Sequence, residues 1–196
     1  MAGPPLAGLI LCGGLSTRMG SDKASLIFEG QRLVDRVADR LSEVAEPVMF
    51  ATGTIGRLGQ LPGREITDMR GVDGPLAGVL AGAEASPHDL LAVVAVDMPW
   101  LNPDLLALLA ELWEGEDAVV PVDPDGPQVL HAVYSKSLLR YAQRAVGSGK
   151  GLRAFLEQCE VRYVEAALWG PVDPQGRFAK DVDRPEDLAH LDGPTS

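Results

Sequence analysis

The chain opens on a short stretch that is apolar throughout. Residues 6–12, LAGLILC, run without a polar position and stop at Gly13-Gly14. A run of that length bounded by glycines predicts a strand buried on both faces. The period then changes. Across 31–45, Leu33, Val34, Val37, Leu41 and Val44 recur at helical spacing with charges between them, which predicts an amphipathic helix. Residues 47–52, PVMFAT, return to strand character. Residues 75–85, PLAGVLAGAEA, begin with proline, which suits a first helical turn, and their small side chains allow close packing on a sheet. Residues 90–96, LLAVVAV, form a Val-rich strand closed by Asp97, and 103–114 a helix that again starts on proline. Strands at 117–122 and 130–134, helices at 136–146 and 150–158 and a strand at 160–165 come next. An extended RFAKDVD, a short PEDLAHL helix and a frayed tail at 192–196 complete the pattern.

Strands alternating with helices imply a three-layer α/β/α fold around a mostly parallel sheet. No repeat, low-complexity tract or linker interrupts it, so residues 1–196 read as one domain. In such sheets ligands bind beyond the carboxyl ends of the strands. The loops after residue 11 and after residue 96 both fall there.

Composition narrows the picture. The apolar share is 46%, and the formal charge is 17 − 28 = −11, which argues against a nucleic-acid partner. An acidic chain that binds phosphate must gather its cations locally. Two cysteines, Cys12 and Cys159, make no disulfide framework and no metal spacing. Pro4-Pro5 interrupts the apolar N-terminus, which carries no preceding cation, and no apolar run approaches the roughly 20 residues that span a bilayer. A soluble, cytoplasmic protein without a membrane partner is expected.

The densest stretch is LILCGGLSTRMGSDKASL, residues 9–26. It is not a Walker loop, because five residues separate Gly14 from Gly20 and Lys23 comes three after Gly20. It is not GxGxxG either. Yet Gly13 and Gly14 follow a buried strand and admit backbone N–H groups close to an anion. Ser16 and Thr17 add hydroxyl donors, Arg18 and Lys23 add cations, and Gly20 lets the loop turn. The plainer alternative is a surface turn with solvated charges. A second lysine loop, GSGKG at 147–151, has Arg144 where a Walker pattern needs its first glycine and reads as a connector. Asp97, at the end of a central strand, suits Mg²⁺. The competing role is a helix N-cap, for which Asn102 is better placed. Asp68, in ITDMRGVDGPLAG, is either an Asx turn or a carboxylate that reads donors on a base.

The arrangement Gly13-Gly14-Leu15-Ser16-Thr17-Arg18-Met19-Gly20-Ser21-Asp22-Lys23 resembles the signature of nucleotidyltransferases with a glycosyltransferase-A-like fold, and most closely that of the MobA family, the molybdenum cofactor guanylyltransferases. Asp97-Met98-Pro99 is similar to the family's metal-binding segment, and Asp68 with Gly74-Pro75-Leu76-Ala77-Gly78 to its base-side segment. RFAKDVDRPEDL resembles the family's late Phe-x-Asn-x-Asn motif, with Asp181 and Asp183 in place of both asparagines. The family's nucleotide-contacting Asn in the second strand has no counterpart here, since Ala51 or Thr52 takes its place.

The resemblance implies transfer of GMP from GTP to the terminal phosphate of molybdopterin, or molybdenum-molybdopterin, with release of pyrophosphate. It implies a nucleotide site at Leu11, Cys12, Gly13, Gly14, Ser16, Lys23, Asp68, Gly74, Pro75, Leu76 and Asp97. It also implies Mg²⁺ on Asp97 with Asp183, or else Asp181, and charge neutralisation by Arg18 and Lys23. Residues 6–110 would carry the nucleotide and metal, and 115–191 the pterin side. Transient contact with other molybdenum cofactor proteins is expected. His88, His131 and His190 lie in no motif and read as structural or exposed. Cys12 reads as a small apolar residue rather than a nucleophile. The alternatives are a cytidylyltransferase for the same pterin, a sugar-phosphate nucleotidyltransferase, and a non-catalytic GTP-binding or cofactor-carrier protein. Cys12-Gly13-Gly14 and Pro75-Leu76-Ala77-Gly78 favour the guanylyl branch, and the presence of Lys23 and Asp97 favours an enzyme.

Overall fold

The first apolar run forms β1 (Leu6–Leu11), with all six residues buried. In a computed structural model of the protein, residues 3–13 and 22–182 are described. Gly14, Ser16, Arg18, Asp183, the expected PEDLAHL helix and the tail lie outside the described residues. A hairpin comes next, β2 (Ile27–Phe28) and β3 (Gln31–Arg32), turned by Glu29 and Gly30 at φ 47° and 80°. This hairpin takes the first two positions of the helix expected over 31–45. Helix α1 (Leu33–Leu41) then buries Leu33, Val34, Val37, Ala38 and Leu41.

The chain continues through β4 (Val48–Ala51), β5 (Arg64–Ile66) and α2 (Pro75–Ala85). β5 carries no periodic signal, because only one of its three residues is buried. After β6 (Leu90–Ala95) and α3 (Pro103–Glu111) the chain makes β7 (Ala118–Asp123), β8 (Gly126–Pro127) and β9 (His131–Ser135). The helix expected over 136–146 divides into a 3-10 segment, Lys136–Tyr141, and the single turn α4 (Ala142–Ala145). Short α5 (Leu152–Leu156), β10 (Val161–Val164) and α6 (Ala166–Trp169) succeed it. The segment expected to be extended near residue 180 begins instead with a 3-10 turn, Arg177–Ala179.

The main sheet has the order β10-β7-β9-β6-β1-β4-β5, with β8 attached to β7. β5, β4, β1 and β6 are mutually parallel, and β10 is parallel to β7. β9 runs antiparallel to both β6 and β7, so it joins the two parallel blocks into one mixed sheet. Alternation along β1 divides the core: Leu6 and Ile10 face α1 and α3, while Ala7, Leu9 and Leu11 face α2 and α5. α2 lies unusually near the sheet. A Cβ at Gly78 would come within 2.6 Å of Leu11 Cδ2, and one at Gly82 within 2.6 Å of Leu9 Cδ2. The small residues of that helix therefore set its depth.

Candidate active site

The parallel register brings three strand ends together. Leu11 pairs with Ala51 on one side and Ala95 on the other. The edge continues through Cys12 N–H to Ala51 O at 2.9 Å and Val96 N–H to Leu11 O at 3.1 Å. Residues 12–13, 52–54 and 96–97 thus share one rim at the carboxyl end of the sheet, where open α/β sheets take ligands.

Lys23 and Asp97 meet on this rim. The Lys23 ammonium lies 2.9 Å from Asp97 Oδ2, and their side chains are 18% and 23% exposed. Lys23 starts a 3-10 turn that Asp22 caps by accepting from Ala24 N at 3.1 Å. The segment just beyond Asp97 is anchored at three points. Arg36 and Arg40, on α1, donate to the carbonyls of Pro99 and Leu101 at 3.2 and 2.8 Å. Asn102 caps α3 by accepting from Leu105 N at 3.2 Å. The capping role is thereby filled, and the Asp97 carboxylate is left to face the rim.

A strap from late in the chain reaches the same place. Asp173 accepts from the N–H groups of Arg177 and Phe178 at 3.2 and 2.9 Å. Phe178 is fully buried, with ring centroids 5.0 Å from both His131 and Trp169. Val182, also fully buried, donates its N–H to Asp97 O at 2.8 Å. Asp181 is exposed and immediately precedes this backbone contact in the chain. Asp97 and Asp181 stand on two segments joined by a backbone hydrogen bond, and carboxylate oxygen is the donor type Mg²⁺ prefers, so the residue types fit that ion.

Beside the rim is a cleft of about 470 Å³ lined by residues that include Leu11, Gly13, Gly53, Arg57, Asp68 and Gly74. Asp68 is half-buried, and burial raises its carboxyl above the usual range. Among the described residues none hydrogen-bonds its carboxylate. It therefore keeps acceptor capacity for a ligand's N–H groups. Gly74, at φ 66°, turns the chain into α2, with Pro75 in the first helical position. Leu76 is fully buried, so only its backbone is available to a ligand. Thr52 is 2% exposed and donates to Glu65 at 2.7 Å, which occupies the hydroxyl.

Cys12 is 1% exposed, its thiol 3.7 Å from Ile10 O. Burial pushes it up to about 12, so it stays protonated. The 147–151 loop does not reach the rim. Gly147 N–H instead bonds Gly71 O at 2.7 Å and buttresses the base-side loop. His131 is fully buried, His88 lines a crevice at the opposite end of the sheet, and His190 lies outside the described residues.

Arg57 is the site residue that the sequence motifs missed. It lies in a glycine-rich turn and lines the cleft. It donates to Cys12 O at 2.5 Å and to Thr52 O at 3.1 Å, and it pairs with Asp22. A lone cation among turn residues after a strand end was the available signal.

Residues 8–164 match the family model described as MobA-like NTP transferase domain. A protein of Methanosarcina mazei named probable molybdenum cofactor guanylyltransferase is 32% identical, over 94% of this chain and 89% of that protein. Among solved structures, molybdopterin-guanine dinucleotide biosynthesis protein A from Archaeoglobus fulgidus superposes with a TM-score of 0.82 at 25% identity, covering 94% of this chain and 95% of that one. The 2-C-methyl-D-erythritol 4-phosphate cytidylyltransferase of Thermus thermophilus shares the fold, with a TM-score of 0.68 at 21% identity over 95% and 96% of the two chains.

Proposed function

This chain belongs to the MobA-like NTP transferase family and is a nucleotidyltransferase, and from that premise we propose that it transfers GMP from GTP to the terminal phosphate of molybdopterin, or molybdenum-molybdopterin. An oxygen of that phosphate attacks the α-phosphorus of GTP. The bond from the α-phosphorus to its bridging oxygen breaks, and pyrophosphate leaves. The product is the guanine dinucleotide form of the cofactor. The observation that carries this reading is the meeting of Lys23 and Asp97 at 2.9 Å beside the cleft.

The chemistry asks little of a base. A phosphate monoester has a second pKa of about 6 and is largely dianionic near neutrality. The protein's work is positioning and charge neutralisation. Gly13 would present its backbone to the nucleotide, and the Lys23 ammonium would offset charge on the transferring and leaving phosphates. Asp68 would accept from the N1–H and N2–H donors of guanine, a pairing that cytosine does not offer. Asp97, with Asp181 or Asp183, would hold Mg²⁺, which when bound neutralises phosphate charge. The acceptor would lie toward residues 115–191. Among the described residues no helix is long and apolar enough to cross a membrane, and a cytoplasmic location belongs to the same proposal, as does transient contact with other molybdenum cofactor proteins.

The test is incubation of purified protein with molybdopterin, Mg²⁺ and each of GTP, CTP and ATP in turn. Guanine dinucleotide formed from GTP alone is expected. Product from CTP in preference to GTP overturns the base assignment. Binding of GTP without product in any arm points to a carrier.

A further inference from the structure

Arg57 lines the cleft, and no part of the proposed reaction gives it a role. Its guanidinium reaches three separate segments. It donates to Cys12 O at 2.5 Å, just before the glycine loop, and to Thr52 O at 3.1 Å, after β4. It also pairs with the Asp22 carboxylate, at the far end of that loop. Asp22 uses its other oxygen to cap Ala24 N at 3.1 Å, and Lys23 lies between them. Arg57 and Asp22 are largely buried, at 17% and 20% exposed.

The turn that carries Arg57 is itself held. Glu65 accepts from Gly56 N with both oxygens, at 3.1 and 2.9 Å, and from the Thr52 hydroxyl at 2.7 Å. A chain of contacts thus runs from β5 through residues 52–56 to Arg57, and from there to both ends of the loop. A planar guanidinium can serve acceptors in several directions, whereas an ammonium on a flexible stem holds no such fork. All three nitrogens of the Arg57 guanidinium already donate to protein acceptors on separate segments, so the side chain is occupied in holding them together.

We infer that Arg57 is a positioning residue. It pins the start of the glycine loop at Cys12 to its end at Asp22, and so sets the height of Lys23 opposite Asp97. This inference rests on the reaction proposed above. It makes the base-side wall and the phosphate loop one unit, because the same side chain lines the cleft and fixes the loop's ends.

The experiment compares wild type with Arg57→Ala, Arg57→Lys, Asp22→Asn and the Arg57→Ala/Asp22→Asn double variant. Turnover, GTP affinity, GTP-over-CTP selectivity and hydrogen exchange of the Ala24 amide are read for each. Displacing Lys23 predicts a loss of about 100-fold in kcat for both Arg57 variants. KM for GTP should stay within about threefold of wild type, because ground-state binding is not what the clamp supplies. The double variant should be no worse than the worse single one, as expected for two ends of one contact. Wild-type kcat in Arg57→Lys, or additive losses in the double variant, overturns the inference. A loss confined to KM, or a change in selectivity, also overturns it, since Arg57 would then touch the nucleotide directly. If wild type itself forms no product, the proposed reaction fails and exchange decides alone. Faster exchange at Ala24 in Arg57→Ala supports the clamp, and unchanged exchange sinks it.

Discussion

Substituting His131 with phenylalanine removes two buried ring nitrogens that have no hydrogen-bond partner among the described residues. His131 sits on β9 opposite Val94, fully buried, with its ring against Phe178. Burial holds it neutral and lowers it to about 3, and the Asn102 backbone opposes that shift. The unfolded chain takes up the proton near the ordinary value of 6.5. The unfolded state therefore binds more protons as pH falls below that value, and stability declines across the window down to about 3. Each pH unit in the window costs about 1.4 kcal/mol. Near neutrality the unsatisfied nitrogens already cost about 1–3 kcal/mol. A phenyl ring keeps the aromatic contact and removes both penalties. We expect His131→Phe to equal or exceed wild-type stability near neutral pH, and its advantage to grow by about 2 kcal/mol by pH of about 5. Urea unfolding of both proteins across that range reads the difference directly, because the carboxylates titrate alike in both. Parallel stability curves would refute the reasoning and would mean that water or a tautomeric partner satisfies the ring.

Lys23→Ala should lower turnover by about 10²–10³-fold with the urea midpoint unchanged; a loss under tenfold removes Lys23 from phosphate neutralisation. Asp97→Asn should shift the Mg²⁺ concentration needed for half-maximal activity upward by more than tenfold, and an unaltered Mg²⁺ titration sinks the metal role. Asp117 is fully buried and accepts from Ser137 Oγ, Arg140 Nη2 and Glu160 N at 2.5, 2.7 and 2.9 Å. Asp117→Ala empties a fully buried position and strands the part-buried Ser137 hydroxyl and Glu160 N–H, while half-exposed Arg140 turns to water, so a destabilisation of about 2 kcal/mol is expected. Thermal or urea unfolding that shows less than about 1 kcal/mol would contradict that accounting.

Elements with a continuous or periodic apolar pattern are legible in the chain itself. β1, β6, α1 and α2 are cases in which burial on one or both faces imposes the pattern directly. The elements without a predictive pattern depend on neighbours. β5 has three residues and one buried side chain, and its pairing with β4 makes it a strand. β2 and β3 exist because a two-residue turn at positive φ closes on itself before α1 begins. The region after Ser135 has helical periodicity, yet it divides into a 3-10 segment and a single α-turn.

Local chemistry determined much of the site. A glycine loop after a buried strand, a cation at Lys23, a carboxylate closing β6 at Asp97 and a cap at Asn102 are each readable from residue type and spacing. What the chain order cannot hold is distance. Lys23 and Asp97 are 74 positions apart and become an ion pair only through the parallel pairing of β1 with β6. The segment that carries Asp181 comes beside Asp97 only because Phe178 and Val182 are buried and Val182 bonds the Asp97 carbonyl. Arg57 has no motif at all, and its partners Cys12 and Asp22 lie 45 and 35 residues away. A side chain whose role is to tie distant segments leaves little trace in its own neighbourhood, because its acceptors are largely backbone carbonyls, which every residue carries.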